Sequence, residues 1–434
     1  MNEDTIMSMI DSSQVMDIHE HFSLPDQIIN SPNPLLEILQ RSYIGYHDFF
    51  PGLSPQFTQF TPYDGFPSSE FKDIKKFIQN FTMNDFLPSF EKGINIIHKI
   101  PLKPFTREIF NQLNDAIVEN YSRKTIFKEF LYQFNIRKCI LDIPHSNVGL
   151  KRKKGSFKDE RFESALRINS LLFGFDPKAW NPQTALMKIA TDEWHIFDEY
   201  ASSLPEYLDN IEKILNEVNK KYIVFKCASA YERNINFGNR DDVLPGSHKW
   251  EVANNIFGKN FNECSEKERN FFGDVIIHYI LDHAADLHIP FQCHTGTAIM
   301  EGSHPNGLIP AIESHPEVQF GLLHCGYPWI DDTIKILEAH ENVHAEMVWI
   351  PMLSLDHAIS FLKKIIEHQL TSRVIGFGGD TACIEGSAGA LAQLKKCLAV
   401  SIKEQIKKNV VQQADVEQII QNIMYNNAKR LYFS

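Results

Sequence analysis

Short, unbroken apolar runs recur along the chain, and amphipathic stretches separate many of them. The clearest runs are Val15–His19, Lys138–Ile143, Tyr222–Lys226, Ile289–His294, Phe320–His324, Val343–Met347 and Val374–Phe377. Runs this short, apolar on both faces, belong to parallel strands covered by helices. Apolar residues at helical spacing mark Leu204–Asn219, Glu266–His288, Ile330–His340, Leu355–Leu370 and Ala388–Lys408 as helices, the first preceded by Ser202 and Ser203 as candidate N-caps. One further strand is expected near Ala185–Ala190. With it the count reaches the eight that close a (β/α)8 barrel. The pattern therefore predicts an α/β protein, a distorted (β/α)8 (TIM) barrel. A doubly wound sheet is the alternative, but no Gly-rich phosphate loop follows the first strand.

The spacing is uneven. About a hundred residues, Phe22 to Asn135, separate the first two strands. Within them Asp73–Phe134 reads as largely helical, with apolar positions such as Phe86, Phe90, Ile94, Leu113, Ile117 and Leu131. The expectation is one barrel domain over residues 1–434, with a large helical insertion after strand 1, at about 22–135, forming a lid or subdomain, because βα loops at the catalytic end tolerate elaboration. A second insertion, Asn234–Cys264, follows the fourth strand.

Composition narrows the class. The 434 residues carry 43 Lys+Arg and 55 Asp+Glu, a net charge of −12, with 43% hydrophobic and 23% charged residues. Such usage is that of an ordinary soluble domain. The acidic balance argues against nucleic acid as a partner, which needs a basic footprint; the basic run Lys151–Lys154 reads as an exposed loop. No stretch of ~18 apolar residues predicts a membrane span, and the acidic Met1–Asp4 start does not read as a signal peptide. Seven scattered cysteines without a C-x-x-C pair fit a reducing, cytoplasmic setting.

The strongest chemical signal is Asp17-Ile18-His19-Glu20-His21. On a strand, positions two apart face the same way, so His19 and His21 can present two imidazoles to one ion. Further ligand-type residues end later strands: His294, His324, and Asp380 after Gly378-Gly379. A barrel gathers such strand ends at one mouth. Imidazoles with a carboxylate suit Zn²⁺ or a similar divalent ion, one or two per chain, which acidifies bound water and polarises a carbonyl. Asp380 can take the water's proton and hand it to the leaving group. His324 has three readings: ligand of a second ion, general acid, or electrophile.

Lys226 ends its strand, where a buried ammonium is costly without a partner. It pairs with a substrate carboxylate, becomes a carbamate (carboxylated lysine) bridging two metals, or forms a salt bridge. Arg233 and Tyr231 follow it in a βα loop, where a guanidinium suits a substrate carboxylate, with a loop salt bridge as the alternative. Trp349, after the seventh strand, either lines the pocket or packs. His145 is a spare pocket residue, and Asp142 a candidate support for the site.

His19-x-His21, His294, His324 and Asp380, in this order, resemble the amidohydrolase superfamily. Lys226-Cys227-Ala228-Ser229-Ala230-Tyr231-Glu232-Arg233, His294-Thr295-Gly296 and His324-Cys325-Gly326-Tyr327-Pro328-Trp329 are similar to a narrower branch. It contains the amidohydrolase-2-like metal-dependent hydrolases and the amidohydrolase half of nodulin/glutamine-synthetase fusion proteins. The terminal Asn426–Tyr432 resembles the closing helix of these barrels. The likeness covers about residues 14–21 and 137–434, and the insertion matches in place and helical character only. It implies one or two divalent metals, usually zinc, with His19, His21, His294 and Asp380 as ligands and Lys226 at the position of the carboxylated lysine of binuclear members. Homo-oligomers are common in the superfamily.

The expected function is hydrolysis of a C–N, amide-type bond in a small carboxylate-bearing metabolite by a metal-activated water. Decarboxylation or uronate-type isomerisation on the same site is the alternative, and the insertion after strand 1 is itself similar to that of uronate isomerases. A barrel that binds metal or a partner without turnover is the third reading.

Overall fold

The computed structural model describes residues 1–42, 70–80, 86–142, 159–176, 195–218, 221–297 and 301–433. Among the described residues, eight parallel strands form one sheet in sequence order: β1 (Val15–Glu20), β2 (Ile136–Leu141), β3 (Phe162–Arg167), β4 (Val224–Cys227), β5 (Phe291–His294), β6 (Phe320–Leu323), β7 (Val343–Glu346) and β8 (Val374–Ile375). This is the α/β, TIM-barrel-like architecture expected from the apolar runs. The strand taken by β3 differs from expectation. Phe162–Arg167 occupies the third place, while Ala185–Ala190, with Lys151–Lys154 and His145, lies outside the described residues.

The chain forms two compact units. The first comprises Met1–Leu141, Phe157–Phe162 and Glu346–Arg430, and the second Asp142–Ser156, Glu163–Ala345 and Leu431–Ser434. In the first, every residue of β1 is buried, so the strand is covered on both faces. Beyond β8 the chain continues alongside β1: the Ile18 N–H donates to the Phe377 carbonyl at 3.1 Å, and the His21 N–H to the Thr381 carbonyl at 2.9 Å. Packed on this edge is the helix Ile384–Lys407, which starts four residues earlier than its apolar spacing suggests.

The insertion carries helices Phe71–Asn80, Phe86–His98, Arg107–Ser122 and Ile126–Gln133. Helix Phe86–His98 meets helix Ile384–Lys407 backbone to backbone. A Cβ on Gly93 would fall 1.8 Å from the Glu385 carbonyl oxygen, and one on Gly389 would fall 2.0 Å from that of Ser89. The Glu385 carboxylate is buried there. It accepts from Tyr121 Oη at 2.8 Å and bonds His98 Nε2 at 2.7 Å, while Asn120 Nδ2 bonds His98 Nδ1 at 2.7 Å. Those buried polar groups are satisfied by one another, as burial demands.

In the second unit β3 to β6 are in parallel register, with Lys226 opposite both Arg167 and Gln292, and Cys227 opposite Cys293. Helix Glu266–Leu287 begins with a reciprocal cap. The Glu268 N–H donates to Ser265 Oγ, and Glu268 Oε2 accepts from the Ser265 N–H at 2.8 Å. It ends on His288 in the left-handed conformation. All seven cysteines are buried free thiols. Among the described residues no helix is long and apolar enough to cross a membrane.

Candidate metal centre

His19 and His21 stand at the C-terminal end of β1, and Asp380 in the segment that continues β8. The Asp380 N–H donates to the His19 carbonyl at 2.9 Å, which brings the chain's two extremes together. His21 Nε2 lies 2.9 Å and His19 Nε2 3.7 Å from Asp380 Oδ1, and the two imidazoles meet edge to face at 4.9 Å. One ligand atom from each of the three lies within 4.8 Å of the others. Tetrahedral coordination at zinc bond lengths sets neighbouring ligand atoms roughly 3.3 Å apart. The two His–Asp separations bracket that value. Two imidazoles and a carboxylate, His19 and Asp380 being nearly buried, fit a divalent ion.

Behind the ligands lie two carboxyls to which the sequence reading gave no role. Asp17 Oδ1 accepts from the His19 N–H at 3.3 Å, and Glu20 Oε2 accepts from the Thr381 N–H at 2.9 Å. Both are fully buried. Burial pushes Asp17 up to about 7, and burial together with the charge of Asp17 pushes Glu20 well above the carboxylate range. The available signal was charge inside a buried strand, which is costly unless paired.

The second unit gathers another group. His324 Nε2 lies 3.1 Å from His294 Nδ1, and the Tyr231 ring sits 4.5 Å from that of His294. His324 has a φ of +64°, followed by Cys325 at +46° and Gly326 at +64°. Consecutive left-handed residues persist only where their surroundings hold them. Here the Gly326 N–H donates to Thr295 Oγ1 at 2.9 Å, and Thr333 Oγ1 to the Cys325 carbonyl at 2.8 Å. Lys226 is buried at the end of β4. Next to it, the Cys293 thiol lowers Cys227 to about 7. Glu232, another residue given no role, accepts from Asn169 Nδ2 at 3.2 Å.

Arg233 is committed to protein acceptors. Its Nη2 lies 2.6 Å from Asp274 Oδ1, Nη1 donates to the Asn270 carbonyl at 2.8 Å and Nε to the Asn234 carbonyl at 2.9 Å. Lys249 Nζ takes the other Asp274 oxygen at 2.8 Å. This network borders a 960 Å³ cleft lined also by Phe271, His304 and Asn306. A different guanidinium stands on the strand-end row: Arg167, the last residue of β3, opposite Lys226, holds Asp142 through two hydrogen bonds of 3.1 and 2.5 Å. Trp349 belongs to the first unit, has a φ of +74° and packs edge to face on Phe86 of the insertion at 5.7 Å.

Comparison with known proteins agrees with the motifs. Residues 260–433 match the family model described as Amidohydrolase, so this part of the chain is similar to that family. The protein fluG of Emericella nidulans is 29% identical over 153 residues, 33% of this chain. The match spans only 17% of that relative's length. Among solved structures, a uronate isomerase from Thermotoga maritima superposes with a TM-score of 0.73 at 14% identity, covering 99% of this chain and 97% of that one. A protein from Lactobacillus casei, provisionally described as a metal-dependent hydrolase, does so with 0.64 at 14% identity, covering 98% and 97%. A uronate isomerase from Bacillus halodurans gives 0.65 at 13% identity, covering 99% and 96%. At these identities the structures establish a shared fold. The chain has the fold of these structures and is similar over residues 260–433 to the amidohydrolase family.

Proposed function

We propose that the protein hydrolyses a C–N, amide-type bond of a small carboxylate-bearing metabolite. The observation that carries this reading is the convergence of His19, His21 and Asp380 at ligand spacing. A divalent ion held by these residues, zinc by donor type, supplies Lewis acidity and a water acidified to near neutral pH. His19 and His21 act as neutral donors from a rigid strand. Asp380, beside His21, takes the proton from water at a carboxylate oxygen and returns it to the departing nitrogen. By their likeness to the motifs, His294 and Lys226 are proposed as further ligands, and His324 as general acid or electrophile.

Carboxylate recognition falls to Arg167 rather than Arg233: each holds a buried aspartate, Asp142 and Asp274, but the Arg233 side chain is itself buried. Arg167 keeps a quarter of its side chain exposed at a strand end, and a planar guanidinium suits a carboxylate. Tyr231, against His294, and Trp349 are proposed as further pocket residues. A soluble cytoplasmic enzyme, free or as a homo-oligomer, is the expected setting.

A second reading has one support. Two of the structures named above are uronate isomerases and cover nearly the whole chain, insertion included. Isomerisation moves a proton between adjacent carbons without consuming water, whereas hydrolysis adds water across the cleaved bond. The deciding test incubates zinc-loaded protein in H₂¹⁸O with N-acyl amino acids and with uronates, and reads products by mass spectrometry. An ¹⁸O-labelled carboxylate from an acyl substrate supports hydrolysis. A ketose from a uronate, with unchanged acyl substrates, moves the assignment to isomerase.

A further inference from the structure

We propose that Glu20 is the positioning residue of the metal centre: its buried carboxylate fixes the Gly379-Asp380-Thr381 segment and thereby the orientation of Asp380. This rests on the reading of His19, His21 and Asp380 as ligands, and adds to it a residue that touches none of the reacting atoms.

Asp380 has a φ of +51°, a left-handed conformation that a residue with a side chain adopts only when neighbours hold it. Contacts that hold it come from β1 and the residue that follows the strand, His21. The Asp380 N–H is bound by the His19 carbonyl, and the His21 N–H binds the Thr381 carbonyl, both at 2.9 Å. Between these two ladder bonds, the Thr381 N–H meets a side chain instead of backbone: Glu20 Oε2 at 2.9 Å, with Thr381 Oγ1 3.2 Å from the same oxygen. The peptide that follows Asp380 is therefore oriented by Glu20. On the other side, Gly379 wraps against the same carboxylate. A Cβ there would fall 2.1 Å from Glu20 Oε1 and 2.9 Å from Ser387 Oγ. The residues before and after Asp380 both close on Glu20, so the ligand between them has little freedom.

A buried carboxyl costs stability, and a polar network inside a strand is retained most readily where it fixes a geometry that apolar packing cannot. Backbone amides are directional donors, and one carboxylate bound by the Thr381 amide while filling the space left by a glycine specifies both the position and the rotation of the intervening peptide. Groups behind metal ligands act in this way, and their removal typically weakens metal binding about 10- to 100-fold.

The test titrates Co²⁺ into chelator-stripped full-length protein and reads affinity by calorimetry and coordination by visible absorption, in wild type, Glu20→Ala, Glu20→Gln and Gly379→Ala. The expected result is a loss of about 10- to 100-fold in Co²⁺ affinity with an altered spectrum for Glu20→Ala, and recovery of most of both in Glu20→Gln, which keeps an oxygen acceptor for the Thr381 amide. Gly379→Ala retains every ligand and Glu20 itself, but displaces the carboxylate, and is expected to weaken Co²⁺ binding likewise. It carries the test where Glu20→Ala does not fold. Wild-type affinity and spectrum in these variants overturn the positioning role while leaving the metal centre standing. Failure of the wild type to bind Co²⁺ overturns the metal centre, and the positioning role with it.

Discussion

His21 Nε2 lies 2.9 Å from Asp380 Oδ1, although one stands near the start of the chain and the other near its end. The parallel sheet makes this so, because the segment after β8 runs beside β1 and delivers both side chains at the strands' C-terminal ends. From that pairing follows the first prediction. Asp380→Asn should keep the fold, lower metal content and reduce turnover by about 10²- to 10⁴-fold, the usual contribution of a general base. Metal analysis and a turnover assay check it; wild-type turnover would remove Asp380 from the mechanism.

Arg233 and Arg167 separate in a second prediction. Arg233→Met leaves Asp274 buried with Lys249 as its remaining charged partner, and should cost about 3 kcal/mol in urea unfolding, the low end for breaking a buried pair. Its KM should be unchanged. Arg167→Met should instead raise KM for carboxylate substrates by about 10- to 100-fold, the value of one or two charge-assisted hydrogen bonds. A raised KM in Arg233→Met would return substrate recognition to that residue.

A third prediction concerns the insertion. At Gly93 a methyl group would meet the Glu385 carbonyl oxygen of the neighbouring helix at 1.8 Å. Gly93→Ala should therefore force the two helices apart and cost about 1–3 kcal/mol, as overpacking does. An unchanged urea midpoint would show that helix Phe86–His98 does not rest on helix Ile384–Lys407 in solution.

Two buried histidines set a pH dependence of stability. His278 Nδ1 lies 2.8 Å from His315 Nε2. His278 Nε2 meets the Gly238 carbonyl, His315 Nδ1 faces Asp282 at 3.4 Å, Arg240 holds that same carboxylate, and Asp274 lies near His278. Burial, joined at His278 by the charge of His315, pushes both down to about 4. The unfolded chain titrates near 6.5. Since the folded values are depressed, the unfolded state takes up protons first on acidification, so this stability is complete above about pH 6.5 and is lost as pH falls towards 4. His315→Gln should flatten the fall in Tm over that window; an unchanged slope would assign it to other groups.

Much of the fold was legible because burial on both faces writes strands as apolar runs. Seven of the eight strands lie at such runs, and the helices between them begin and end within a few residues of their apolar spacing. β3 was missed because Phe162-Glu163-Ser164-Ala165-Leu166-Arg167 interleaves polar residues with apolar ones, and with it went Arg167, the guanidinium on the strand-end row. His19, His21 and Asp380 were legible from residue type and strand-end position. Glu20 and Asp17 were not, because a carboxylate that serves a backbone amide has no sequence pattern of its own. Arg233 shows the converse: its position in a βα loop suggested a ligand, whereas its partner Asp274 sits on a helix that only folding brings alongside.

The central claim is that His19, His21 and Asp380 hold a catalytic divalent ion. Its most direct test is the metal content per chain, by elemental analysis of protein purified without chelators, for wild type and His21→Ala. At least one equivalent of zinc or a similar ion is expected in the wild type, with a second equivalent pointing to Lys226 as a bridging carbamate, and a loss of metal in His21→Ala. Wild-type protein that is metal-free and refuses added zinc would contradict it.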